Sequence, residues 1–254
     1  MEDLLDAAAF AVFQEGYKDG YGADGDHIKK ESDIEKAIQL GFSMLTLDCS
    51  DYIPKGIAEK SFSDVSAEYE KLSKKEKEYY KYQYLDKTFF INDLEINFDK
   101  ESLFKLALEY REVINYTVYI YEKYIRKLNR DFDFEISIDE TEATTTPMAH
   151  FFVANELITK GVKFTSLAPR FCGEFQKGID YIGDIKQFEQ EISKHALIAD
   201  YFNYKLSIHS GSDKFKVYPI INKYTNGNVH VKTAGTNWLE AVRVIAKYKP
   251  KLYR

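Results

Sequence analysis

Six short apolar runs punctuate this sequence, and helical patterns fill most of the intervals between them. The runs are Ala9–Glu15, Phe42–Asp48, Phe134–Glu140, Val162–Ala168, Lys205–His209 and Val229–Thr233. Each has the length of a strand, and several are rich in β-branched residues. Ser32–Leu40 reads as a helix, with a cap at Ser32, Glu35 three residues later and a stop at Gly41. Pro147–Lys160 has proline in its first turn and ends before Gly161. Gln187–Phe202 places Phe188, Ile192, Ala199 and Phe202 on one face, and Asn237–Lys247 closes before Pro250. Strand and helix alternating at about thirty residues per unit imply parallel strands joined by crossovers. The expected fold is therefore α/β, a (β/α) TIM-type barrel that is incomplete here, since a closed barrel needs about eight strands. Two weak strands hidden in the long interval, a fragment, or an open sheet would each explain the shortfall. The rival is a doubly wound sheet. Its cue would be the glycines of GYGADGDHIKK, but they lack GxGxxG spacing.

The chain divides into first βα units over 1–50, a helical insertion or cap over 51–133, and further βα units over 134–254, all within one domain. The insertion holds a Tyr- and Lys-rich pattern and then a long amphipathic helix, Ser102–Leu128. The lysines from Lys71 to Lys87 are interleaved with glutamates, so they read as a solvated helix face. A length of 254 residues suits a single barrel. A net charge of −6 argues against a nucleic-acid partner. No run approaches the ~20 apolar residues of a membrane span. The acidic N-terminus is unlike a secretory signal, so a cytoplasmic location is expected. Cys49 and Cys172 are isolated and fit neither a disulfide framework nor a zinc ribbon. Oligomeric state is left open.

Catalytic groups in a barrel gather where strands end. That rule selects Glu15 and His27 after the first run, Asp48 after the second, and Asp139, Glu140 and Glu142 after the third. Arg170 and Glu174 follow the fourth. His209, Ser210, Asp213 and Lys214 follow the fifth, and His230, Lys232 and Thr233 the sixth. Alternation along KLSIH and VHVK opposes Leu206, Ile208, Val229 and Val231 to Ser207, His209, His230 and Lys232. If the aliphatic face meets the helices, both histidines and Lys232 point inward, as does Asp139, while Glu140 is ambiguous. His195 lies on an apolar helix stripe and reads as a hydrogen-bonded core histidine. His150 reads first as core and second as a lining residue. Lys232 is open to three roles: a structural ion pair, an anion grip or a Schiff-base amine. Nucleophile-elbow, P-loop and HExxH motifs are absent. Carboxylates, imidazoles, a lysine and an arginine remain, a set suited to proton transfer on a polyhydroxy substrate held by a metal.

Five segments resemble the tagaturonate epimerase family: AVFQEGYKDGYGADGDHIK, SIDETEATTTPMAH, SLAPRFCGEFQKGIDYIGD, LSIHSGSDKFKVYPI and VHVKTAGTNWLEAVRVIA. The resemblance implies a metal-dependent epimerase that interconverts D-tagaturonate and D-fructuronate in hexuronate catabolism, with a small sugar acid as its partner. Members are longer than this chain, so residues outside it would complete the barrel. By the same resemblance Glu15 matches the general base and Glu140 the acid partner, with Asp139 and Glu142 as rival candidates for the acid. His27, His209 and His230 match ligands of a divalent ion (Zn, Mn, Ni, Co or Fe). Asp139, Arg170, Lys232, Ser210 and Asp213 are the expected substrate-binding residues. The two ketouronates differ at C4, counting the ketone as C2, so enolisation does not reach the exchanging centre. Retro-aldol cleavage of C3–C4 through a metal-bound enediolate, then recombination, is the expected route. An aldolase that releases the halves and an inactive sugar-acid-binding fragment are the alternatives.

Overall fold

Five of the six apolar runs form parallel strands, and the first does not. The computed structural model describes residues 1–141, 143–233 and 237–253. Glu142, one of the three candidate acids, lies outside them. Ala9–Glu15 belongs to a helix, α1 (Glu2–Glu15). Three consecutive alanines favour helix, and Gly16 at φ 62° closes it, with Tyr17 N–H donating to Val12 O at 3.1 Å. No residue of α1 is buried, and Leu4, Phe10 and Phe13 are exposed. The first strand is instead the polar segment DGDHI, β1 (Asp24–Ile28).

The others are β2 (Met44–Asp48), β3 (Lys87–Ile91), β4 (Leu94–Phe98), β5 (Asp133–Ile138), β6 (Ser166–Pro169), β7 (Lys205–Ile208) and β8 (Val229–Val231). One sheet runs β1-β2-β5-β6-β7-β8, parallel throughout. Its order never reverses, so there is no switch point of the doubly wound kind. The 51–133 interval does contain two strands, but β3 and β4 pair only with each other, as an antiparallel hairpin. The main sheet curls into a half-barrel: Lys232, just past β8, bonds to Asp26 on β1 and to Thr46 on β2. This agrees with an incomplete TIM-like barrel.

The helices are α2 (Glu31–Gln39), α3 (Phe62–Tyr69), α4 (Lys74–Tyr84), α5 (Lys100–Ile120), α6 (Pro147–Thr159), α7 (Ile185–Tyr201), α8 (Tyr218–Thr225), α9 (Asn237–Tyr248) and α10 (Pro250–Tyr253). Ser32 lies inside α2, whose cap position is Lys30. Thr146 caps α6 by accepting from Ala149 N–H at 3.1 Å, and Asp184 caps α7. Residues 51–133 are the connection from β2 to β5. Of its tyrosines, Tyr69, Tyr80, Tyr84 and Tyr110 are buried. Tyr84 packs at tilted angles among Phe89, Phe98 and Phe152. The Tyr84 and Tyr79 hydroxyls donate to the buried carboxylate of Glu156 on α6, at 2.7 and 3.0 Å. Among the described residues no helix is long and apolar enough to cross a membrane.

Alternation sorts the sheet into two faces. Leu45, Leu47, Phe134, Ile136, Ile138, Leu206 and Ile208 join the apolar core. The intervening positions Thr46, Asp48, Glu135, Ser137, Ser166 and Ser207 are all buried as well. The concave side is therefore polar, unlike the aliphatic layers that usually fill such barrels.

Candidate active site

Glu135, in the middle of the concave face, organises the site. It is fully buried. One carboxylate oxygen lies 2.8 Å from His209 Nε2 and the other 2.6 Å from His230 Nδ1. Thr46 and Ser166 hydroxyls donate to it from the strands on either side, and Lys232 Nζ stands 3.3 Å away. Burial alone would raise its pKa, but the two imidazoles and the Lys232 ammonium hold it well below the usual carboxylate range.

Beyond Glu135, at the C-terminal ends of the strands, lie His27, Asp139 and His209. His209 Nδ1 approaches Asp139 Oδ2 at 3.0 Å, and His27 Nε2 is 3.9 Å from Asp139 Oδ1. The two imidazoles meet edge-on, with centroids 4.7 Å apart. Asp26 holds His27 from behind at Nδ1, at 2.7 Å. Between Asp139 and Asp26, the His27 pKa is pushed up to about 10. His27 lies where the β1–β2 register breaks and has φ 50°, a left-handed conformation costly for a residue with a Cβ. Ser210 (φ 49°) shares that strain at the end of β7. Next to it Gly211 packs so tightly on Val231 and the Lys232 carbonyl that a Cβ would not fit.

His27, Asp139 and His209 offer ligand atoms that all lie within 4.8 Å of one another, and so do His27, Asp48 and Glu140. His209 Nδ1 is buried without a hydrogen bond of proper geometry, despite its short approach to Asp139. Two imidazoles and a carboxylate this close together form a donor set suited to a divalent ion. In the second group Lys29 Nζ already stands 3.6 Å from Asp48 and 3.9 Å from Glu140. The first group is therefore the better cation site. His230 joins neither group. Its Nδ1 is taken by Glu135, which leaves Nε2 as the only atom it could offer an ion.

Two cavities open here, of about 320 and 400 Å³, and share Asp139, Glu140, His209 and Ser210. Arg170, Glu174 and Gln176 line the first, and Asp26, His27, Lys177 and Lys232 the second. Burial, then the neighbouring Asp48, raises the Glu140 pKa.

The expected residues meet different outcomes. Glu140, Asp139, His27, His209, Ser210 and Arg170 all border the cleft. Glu15 does not: it is exposed in the last turn of a helix, not at the end of a strand, and no hydrogen bond or ion pair joins it to the cluster among the described residues. Asp213 lines neither cavity. Lys232 is bound to Asp26 and Thr46 and lies 3.4 Å from Asp24. Burial lowers its pKa, but the surrounding carboxylates more than offset that and keep it a protonated ion-pair lysine. A Schiff-base role would need the opposite shift. His150 and His195 are core residues, with Nδ1 atoms 2.8 Å apart and full burial.

Sequence reasoning missed Glu135, Asp26 and Lys29. The parity that turns Asp139 inward also turns Ser137 and Glu135 inward, so FEISID contained the signal for Glu135.

The sequence model of the family described as UxaE, tagaturonate epimerase, matches residues 1–254. The tagaturonate/fructuronate epimerase of Thermotoga maritima is 46% identical over 253 residues, covering 99% of this chain and 52% of the relative. A glycerol-complexed crystal structure of fructuronate-tagaturonate epimerase UxaE from Cohnella laeviribosi superposes with a TM-score of 0.93 at 61% identity. It covers 98% of this chain and 51% of that one. The YdjI aldolase of Escherichia coli K12 shares the fold at 12% identity, with a TM-score of 0.51 over 97% of this chain and 65% of its own. The chain thus spans about half the length of the epimerases it matches.

Proposed function

The chain belongs to the tagaturonate epimerase family, and on that premise we propose that it interconverts D-tagaturonate and D-fructuronate at C4 with a divalent ion held by His27, Asp139 and His209. The observation that supports this is the convergence of ligand atoms of His27, Asp139 and His209 within 4.8 Å of one another, in a cleft of ligand size. His230 Nε2 is the fourth candidate donor. The ion would stabilise negative charge developing on the C2 and C3 oxygens of the substrate.

The side chains supply the remaining steps. Glu140, whose pKa is raised by burial and the neighbouring Asp48 and which borders both cavities, takes the C4 hydroxyl proton. The C3–C4 bond breaks, its electron pair stays with C3, and C4 becomes an aldehyde. The aldehyde half turns over, the C3–C4 bond re-forms on its other face, and the C4 oxygen regains a proton. Glu174 is a second carboxyl in the same chamber for that return. Arg170, for which no ion pair is found among the described residues, is the cation we assign to the substrate carboxylate. Glu15 has no part in this scheme.

The test is to equilibrate D-fructuronate with the protein in D₂O, with and without Mn²⁺, Zn²⁺ or Ni²⁺, and follow it by NMR. Metal-dependent appearance of D-tagaturonate carrying protium at C4 is expected. Deuterium at C4 would replace the cleavage route with direct proton exchange. Free three-carbon products in a coupled assay would make the protein an aldolase.

A further inference from the structure

Lys214 is a fully buried cation that the scheme above does not use. Its ammonium donates to three backbone carbonyls, Gln176 O at 2.6 Å, Ile179 O at 2.5 Å and Ser212 O at 2.7 Å. An ammonium has three N–H donors and no acceptor, so this cage satisfies it completely. No ion pair within 4.0 Å is found for it among the described residues; the carbonyl dipoles and the more distant carboxylates of Asp213 and Asp180 offset its burial. Burying a charge costs desolvation free energy.

Lys214 organises the connection between β6 and α7. Glu174 and Ile182 pair there as a two-residue ribbon, with Glu174 N–H donating to Ile182 O at 2.8 Å. The turn between them carries Gln176, which lines one cavity of the cleft, and Lys177, which lines the other. Lys214 grips the carbonyls on either side of Lys177 and ties them to the loop that follows β7. Asp180 adds a second tie across the same junction, accepting from Lys216 N–H at 3.2 Å.

We propose that Lys214 is a positioning residue for substrate binding: its caged ammonium fixes the 174–182 ribbon as the wall of the cleft and so sets where Gln176 and Lys177 meet the sugar acid. The substrate part of this rests on the function proposed above; the ordering of the ribbon does not. The cage makes a specific demand. Three convergent carbonyls with the ammonium removed should accept a free small ammonium ion in its place.

The experiment compares the wild-type chain with Lys214→Ala, with and without methylammonium chloride, using tetramethylammonium chloride as the ionic-strength control. Three quantities are read: amide hydrogen exchange over residues 174–182, Mn²⁺ affinity by calorimetry, and KM for D-fructuronate. Lys214→Ala should exchange faster in the ribbon and raise KM by about tenfold or more, because three buried carbonyls lose their donor. Mn²⁺ affinity should stay within about twofold, since Lys214 bonds to none of His27, Asp139 and His209. Methylammonium should reverse both defects, and tetramethylammonium neither. Wild-type exchange and KM in Lys214→Ala, or defects that methylammonium does not reverse, would overturn the proposal. If Lys214→Ala does not fold, Lys177→Ala carries the test. It should raise KM with Mn²⁺ affinity unchanged, and a wild-type KM would count against the ribbon's role. A wild-type chain that does not turn over D-fructuronate would refute the proposed function, while the exchange and methylammonium results would still decide the staple.

Discussion

Glu135 and His230 stand ninety-five residues apart in sequence, and one carboxylate oxygen of the first lies 2.6 Å from Nδ1 of the second. The other oxygen holds His209. One buried carboxylate thus fixes the ring orientation and the free nitrogen of two imidazoles at once. Glu135→Gln should therefore lower divalent-metal affinity by about 10- to 100-fold while the fold survives. Calorimetric titration of the variant with Mn²⁺ or Zn²⁺ checks this, and wild-type affinity would show that the two imidazoles do not depend on Glu135.

Asp139 and Glu140 are adjacent, yet their roles should separate. Asp139→Asn should lose metal binding and turnover together. Glu140→Gln should bind metal normally and turn over roughly two to four orders of magnitude more slowly. Glu15→Gln should change neither quantity. Parallel metal titrations and rate measurements on the three variants decide the assignment, and a slow Glu15→Gln variant would return the base to that residue.

Glu156 anchors the β2–β5 connection to the barrel by accepting from Tyr84 and Tyr79. Tyr84→Phe removes the shorter of these bonds from a buried carboxylate. It should destabilise the protein by about 1–3 kcal/mol. Chemical denaturation gives the number directly, and an unchanged midpoint would mean that the carboxylate is satisfied elsewhere.

His150, His195 and Tyr204 form a buried chain, with Tyr204 Oη 2.6 Å from His150 Nε2. Burial holds the His195 pKa down to about 3, against an ordinary 6.5, and lowers that of His150 as well. The unfolded chain therefore gains protons below pH 6.5 that the folded chain refuses. Stability from this source is complete above pH 6.5 and is lost progressively as pH falls toward 3. Denaturation midpoints measured from pH 7 to pH 4 should fall less steeply in His195→Asn than in the wild type. Equal slopes would place the acid sensitivity elsewhere.

How far the fold could be read from sequence depended on whether a strand has an apolar face. Leu206 and Ile208 against Ser207 and His209 mark β7, and Val229 and Val231 mark β8 in the same way. Asp24–Ile28 offers no such alternation, because its two buried positions, Gly25 and Ile28, are three residues apart and the residues between them are polar, so Ala9–Glu15 is the more strand-like run by composition. The same reading places Glu15 at a strand end, whereas it closes a helix. Glu135 has the same parity as Asp139 but lies four residues earlier, inside β5, so the rule that catalytic groups gather at strand ends does not select it. The partners of Lys232 were beyond reach for another reason. Asp26 and Thr46 lie 206 and 186 residues away, brought close only by the curl of the sheet.

The proposed chemistry requires one ion at the C-terminal rim of the half-barrel. Anomalous scattering from crystals loaded with Zn²⁺ would locate it. The prediction is a single strong peak within ~2.0–2.2 Å of His27 Nε2, an Asp139 oxygen and His209 Nδ1. A peak held by other residues, or saturating zinc with no peak between these three side chains, would contradict it.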